Sequence, residues 1–287
     1  MPVIRPATTA DLPAVSRYLA GALRGGGPER YRRFLDYAWQ PARPDLGVLI
    51  EDAGQIRGFV GAIYSARELG GAKVACCNLT SVAVDEPYRK QTLQLFGALL
   101  SRKELTFTCF SASERVAKIL DFFKFQHAPS ERVIVAPISG LSGLRTLARR
   151  PRVRVITDPA RLDAILDPAQ LTIARDHRRY RCGLLALERG DRRCFVVTVR
   201  RGRGIRAFAD VLHASDPDLL LEHLPWIHAP LYRAHGTLLT GIDRRWVRAA
   251  PAASFVYAKL RPVYARSPIL ALDQIDALYS ELVPMYG

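Results

Sequence analysis

No stretch of this sequence holds the ~20 consecutive apolar residues that cross a bilayer as a helix, so no membrane span is expected. Cysteine is scarce. Cys76, Cys77, Cys109, Cys182 and Cys194 are odd in number, lie in apolar or strand-like runs and form no CxxC pair, which argues against a disulfide framework and a zinc ribbon. Between Met1 and Asp11 there is no basic segment followed by an apolar one, so no secretion signal is read. Ligand-spaced histidines are also missing. His223 and His228 would face different sides of a helix, and His177, His213 and His235 have no companions, so no metal is expected. These absences predict a soluble, reduced, cytoplasmic protein.

Acidic residues are in deficit: 27 Asp and Glu against 42 Lys and Arg give the 287-residue chain a formal charge of +15. That balance points to solvated arginine-rich faces or to an anionic partner: nucleic acid, a membrane surface, an anionic glycan or a phosphate-bearing cofactor. The densest patches, Arg149–Arg154 and Arg200–Arg203, are short and sit at turns, and no aromatic-interleaved nucleic-acid motif accompanies them. Hydrophobic residues at 49% and charged residues at 24% describe an ordinary globular chain, large enough to bury a core without staples.

Strand and helix signals alternate through the first half. A strand at Val3–Pro6 precedes a helix with Leu12, Val15, Leu19 and Leu23 on one face, then a second helix over Glu29–Trp39. Apolar runs at Leu46–Glu51 and Arg57–Tyr64 flank a hairpin turn at Asp52–Gln55. A long strand, Val74–Val84, leads to a helix over Thr92–Ser101. A strand at Leu105–Phe110, a helix from Ser113 to about Phe125 and a closing strand at Val133–Pro137 follow. The second half repeats the pattern loosely: a helix at Asp158–Leu166, a polar tract, a hairpin around Arg189–Asp191, a strand at Ile205–Leu212, a long helix over Asp216–His235, a strand at Thr237–Ile242, and a polar helical tail from Ser267. The reading is α/β, with a first domain over 1–138, a linker over 139–155 and a second domain over 156–287.

The chemistry-bearing stretch is Leu79–Leu100, where an alternating strand ends in Asp85-Glu86-Pro87-Tyr88-Arg89 and passes straight into an apolar helix. Such a turn aims backbone N–H groups and the positive helix end at one point, which suits a pyrophosphate. With Val84, Pro87, Tyr88, Arg89 and Leu99-Leu100 in place, the segment resembles the acetyl-CoA motif of the GNAT acetyltransferase superfamily. The two glycines of that motif are Thr92 and Gln94 here. Val3–Leu12, Gly58–Gly61 and Ala117–Phe125 resemble further GNAT segments in the family's order, and the resemblance spans roughly residues 1–137. Phe208–Leu212, Leu219–Leu224 and Gly236–Leu239 look like the second lobe of tandem members.

The resemblance implies two GNAT-like lobes, each a mixed, mostly antiparallel sheet flanked by helices, the first splayed after Val84. It implies acetyl-CoA or another acyl-CoA as co-substrate and acyl transfer to an amine or hydroxyl of a small-molecule, glycan or peptide acceptor. Val82 and Val84 then pair with the pantetheine arm. Arg89, Lys90, Gln91, Thr92, Leu93 and Gln94 meet the pyrophosphate. No catalytic base is assigned: Asn78 stands where a carboxylate often serves, and the closing helix lacks the Tyr many members keep as general acid. Two alternatives stay open, a non-catalytic GNAT-like protein binding an anionic partner and a Fem-type aminoacyl transferase. The charge permits nucleic acid, though no motif demands it.

Overall fold

The computed structural model describes residues 1–23, 26–37, 39, 43–69, 72–137, 153–249, 251, 253–258 and 260–286. Most of the expected linker, and the Arg149–Arg152 part of the basic patch, lie outside the described residues. No described helix is long and apolar enough to cross a membrane. The chain forms two compact lobes: Met1–Ala128 with Arg261–Ile275 and Tyr279–Met285, and Pro129–Leu260 with Asp276–Leu278 and Tyr286.

The first lobe is built on β1 (Val3–Pro6), β2 (Gly47–Asp52), β3 (Gln55–Leu69), β4 (Ala72–Val84), β5 (Thr106–Cys109) and β6 (Gln126–Ala128), with β14 (Val263–Arg266) inserted between β5 and β6. The β2–β3 hairpin closes as the sequence predicts, with Ala53 and Gly54 in the left-handed region at φ 51° and 72°. Helices α1 (Leu12–Ala22) and α2 (Pro28–Leu35) cover one face, burying Leu12, Val15, Leu19 and Phe34 against Leu49 and Phe59. Helices α3 (Thr92–Leu100) and α4 (Glu114–Phe122) cover the other, with Leu95, Phe96, Leu99 and Leu120 packed on Val60, Leu79 and Phe107. Strand alternation is what permits two cores: successive side chains of one strand feed opposite faces.

The second lobe has the strand order β13-β7-β12-β11-β10-β9-β8, from β7 (Arg132–Val135), β8 (Arg154–Ile156), β9 (Gly183–Arg189), β10 (Arg192–Arg201), β11 (Phe208–Ala214), β12 (Leu239–Asp243) and β13 (Ser254–Tyr257). Among the described residues it carries the helices α5 (Pro159–Ile165), α6 (Pro168–His177), α7 (Pro217–Glu222) and α8 (Leu224–His235).

Several expectations are corrected. The strand expected to close the first lobe is β7, and it pairs with β12 and β13 in the second sheet. β14, from beyond residue 260, joins the first sheet instead. An N-terminal lobe over 1–138 and a C-terminal lobe over 156–287 therefore do not describe the pairing: short apolar strands fit any open sheet edge, and tertiary packing chooses. The polar tract after residue 167 is α6, its N-terminus capped by Asp167, which accepts from the Gln170 amide at 2.8 Å. The long helix over Asp216–His235 is two helices broken at His223, and the tail is mostly irregular with short 3₁₀ and α turns at Leu272–Gln274 and Leu282–Tyr286.

Candidate functional site

The site begins with a defect in β4. Thr80 opposes Gly61 and Ala83 opposes Phe59, so Ser81 and Val82 together face the single residue Val60. Ser81, the first of the two, takes the left-handed conformation at φ 51°. Gly61 permits the close approach, since a Cβ there would lie 3.0 Å from the Thr80 carbonyl oxygen. The extra residue resets the alternation. Leu79, then Val82 and Val84, meet the core under α3, whereas Ala83 meets the core under α1.

β5 runs parallel to β4 only from Cys76↔Thr106 to Asn78↔Thr108. Beyond Asn78 the two strands fork, six residues earlier than the splay expected after Val84. The β5-facing edge of β4 over residues 79–84 has no strand partner among the described residues. Val82 and Val84, expected to pair with a pantetheine arm, lie on this open stretch and are half-buried.

After the fork a 3₁₀ turn, Glu86–Gln91, runs directly into α3. Arg89, Lys90, Leu93 and Gln94 are exposed, and Gln91 and Thr92 half-buried, so the six residues expected at a pyrophosphate form one contiguous surface. The turn already meets many of its own needs. The Thr92 amide and its Oγ1, at 2.8 Å, both donate to the Arg89 carbonyl. Arg89 pairs with Glu86 at 2.9 Å, Tyr88 Oη donates to Asp52 at 2.7 Å, and Arg57 lies 3.5 Å from Asp85. Lys90 has no ion-pair partner among the described residues, and Gln91 Oε1 is buried without a hydrogen bond.

At the base of the fork the sequence reading missed a carboxylate. Glu281 returns with the C-terminal segment and is fully buried; the Asn78 amide donates to its Oε2 at 2.5 Å. Thr108 Oγ1 in turn donates to Asn78 Oδ1 at 3.1 Å. An acid inside the apolar run Leu278–Pro284 was the available signal, but nothing local names a partner 203 residues away. Burial pushes the Cys109 thiol up to about 12, and the nearby Glu281 charge adds to it; burial also raises Cys77 strongly. Burial disfavours the thiolate of both, so neither Cys77 nor Cys109 suits the role of nucleophile.

The second lobe repeats the geometry but fills it. β11 pairs in parallel with β12 over Phe208–Asp210, then bulges at Leu212. The carboxylate of Asp216 caps α7, accepting from the Leu219 amide at 2.9 Å, and is gripped by Arg192 at 3.0 Å. An internal anion thus occupies that helix end. Burial pushes His228 and His235 down to about 4, and each meets a threonine hydroxyl, Thr240 and Thr198. Trp226 and Trp246 pack on this lobe's core. No cluster of three or more His, Cys, Asp or Glu suited to a metal occurs among the described residues.

No family model and no curated protein matches the sequence. Solved structures do match the fold. A Pyrococcus horikoshii protein aligns over 100% of this chain and 96% of its own at TM-score 0.55 and 15% identity. GCN5-related N-acetyltransferases from Anabaena variabilis (TM-score 0.57, 11% identity) and Kribbella flavida (0.55, 12%) each align over 93% of this chain and 72% and 71% of theirs. The described residues form two mixed seven-stranded sheets flanked by helices, a fold similar to that of these GCN5-related N-acetyltransferases.

Proposed function

We propose that the first lobe transfers an acetyl or other acyl group from acyl-CoA to an amine or hydroxyl of a small-molecule, glycan or peptide acceptor. The observation that carries this is the fork: a bulged strand with an open edge, leading into an exposed turn and helix. The open edge of β4 suits the amides of a pantetheine arm. Lys90 and the start of α3 suit the pyrophosphate. In the reaction the acceptor nucleophile attacks the thioester carbonyl, the C–S bond breaks and CoA leaves as thiolate. A β4 amide at the bulge polarises the carbonyl oxygen, and the acceptor's proton passes to a carboxylate, for which Glu281 is the candidate. Five free cysteines and an intracellular co-substrate fit the cytoplasm.

A second reading is a non-catalytic lobe that binds an anionic partner. It is favoured by Thr92 and Gln94 in place of glycine and by the Arg89–Glu86 pair, which spends a phosphate ligand internally. Calorimetric titration with acetyl-CoA separates the two. Acyl transfer expects saturable binding in wild type, weakened about tenfold in Lys90→Glu by loss of a charge-assisted contact of about 1.5 kcal/mol. Binding that is absent at millimolar acetyl-CoA, and gained only in Thr92→Gly/Gln94→Gly, would overturn it.

A further inference from the structure

The second lobe's arginines are distributed unevenly. At the end of its sheet that holds the β9–β10 turn, they are neutralised internally. Arg189 pairs with Glu222, Arg192 with Asp216 and Glu222, and Arg193 with Glu188, at 2.7–3.1 Å. The opposite end is different. There β9 starts, β10 ends, and β11 and β12 start side by side, as the Gly183↔Thr198, Arg201↔Phe208 and Phe208↔Leu239 pairings fix. The loops leaving that end carry Arg179, Arg181, Arg203, Arg206 and, from the last turn of α8, Arg233. All five are exposed, and none has a carboxylate within ion-pair distance among the described residues.

Apolar side chains protrude through the same loops. Ile205 sits between Gly202 and Gly204, both left-handed, on one side and Arg206 on the other, and it is 96% exposed. Leu238 in the α8–β12 loop is 62% exposed, and Tyr232 beside Arg233 is 53% exposed. In the same lobe a cavity of about 370 Å³ is lined by Leu162, Leu184, Pro230 and Leu231 together with Arg178 and Arg233.

We propose that this end of the second lobe docks onto an anionic phospholipid surface, the arginines meeting headgroup phosphates while Ile205 and Leu238 enter the acyl boundary. An aliphatic loop tip flanked by the unpaired Arg203 and Arg206, at a sheet end that carries further unpaired arginines, is disfavoured in water and favoured at that interface. A nucleic acid would use the arginines alone and gain nothing from Ile205. This surface is independent of the acyl-transfer reading, because it shares no residue with the fork.

The test is co-sedimentation of the full chain with phosphatidylcholine vesicles and with vesicles about one-third phosphatidylglycerol at about 0.1 M salt. Binding is expected to the anionic vesicles only, and to fall on raising the salt. Each arginine contributes about fivefold, so Arg203→Glu/Arg206→Glu should weaken partitioning at least about twentyfold. Ile205→Asp should weaken it about tenfold or more. These positions are exposed, and an unchanged melting temperature confirms that the variants fold. Equal binding to both vesicle types, or none to either, overturns the proposal. So does an unchanged Ile205→Asp variant whose binding to a fluorescent RNA oligonucleotide is lost in Arg203→Glu/Arg206→Glu, which would assign the surface to a polyanion instead.

Discussion

Replacing Arg132 by methionine should loosen the second lobe and leave the first intact. Arg132 is buried, with Nε 2.7 Å from Asp210 Oδ1 and Nη1 3.4 Å from Asp243 Oδ2. At an effective dielectric of about 20 these contacts amount to roughly 6 and 5 kcal/mol of gross attraction, most of it offset by the desolvation of three ions. The measured quantity is the cost of leaving the carboxylates behind, which for a broken buried pair is about 3–5 kcal/mol. The two acids differ in what remains to them. Asp243 keeps Arg245 at 2.8 Å with good hydrogen bonds. Asp210 keeps Arg201 at 2.9 Å, but that contact lacks hydrogen-bond geometry. The loss is therefore expected at about 3 kcal/mol, carried mainly by Asp210. Hydrogen exchange reads it lobe by lobe: amides of β7, β11 and β12 should exchange about a hundredfold faster, with β2 and β3 unchanged. Adding Asp210→Asn removes the stranded charge and should recover a tenfold factor or more. Less than a fivefold effect of Arg132→Met, or no recovery in the double variant, would show that Arg132 does not hold these carboxylates in the fold. The pH dependence has a definite sign. Burial raises the Asp243 carboxyl, but the Arg245 hydrogen bonds and the charge of Arg132 outweigh it, leaving the group below its ordinary value. A depressed carboxyl stabilises above its unfolded pKa and loses that contribution as pH falls through its folded one. Without Arg132 that depression is smaller, so this lobe should lose less stability on acidification in Arg132→Met than in the wild type, as read by urea denaturation at pH 7 and pH 4.

Three further outcomes are expected. Glu281→Gln keeps an acceptor for the Asn78 amide but cannot take a proton; turnover by thiol release should fall about 10²–10³-fold with acyl-CoA affinity within about threefold, and unchanged turnover excludes Glu281 as the base. Ser81→Val forces a β-branched residue into the left-handed region, so a loss of about 1–2 kcal/mol and weaker acyl-CoA binding are expected, and unchanged values would mean that the bulge is not tied to binding. Arg266 stacks between Phe107 and Phe125 at 5.3 and 5.5 Å and donates to the Leu100 carbonyl at the end of α3 at 2.8 Å. Arg266→Ala should lower first-lobe stability by about 2–4 kcal/mol, with Arg266→Lys recovering less than half, as judged by urea denaturation; full rescue by lysine would rule out a role for the planar stack.

Local patterns decided local structure. The Asp52–Gln55 turn, the α1 face of Leu12, Val15 and Leu19, the hairpin around Gly190 and the strand–turn–helix over residues 74–100 were legible because each needs only neighbours within a few residues. The Asp167-Pro168 cap of α6 was legible too, but the polar composition after it masked the signal. Tertiary structure alone decided the rest. β7 and β14 are short apolar strands whose sequences state an alternation and no partner; the open edges beside β12 and β5 chose them. The bulge at Ser81 has no marker in the chain, since a serine in the left-handed region is held there by β3 rather than by its own preference. Glu281 reads as one more acid near the C-terminus until the fold buries it on Asn78. Side-chain periodicity specifies which face is apolar, but strand partners and buried polar contacts depend on groups far apart in sequence, and only closing the chain brings those together.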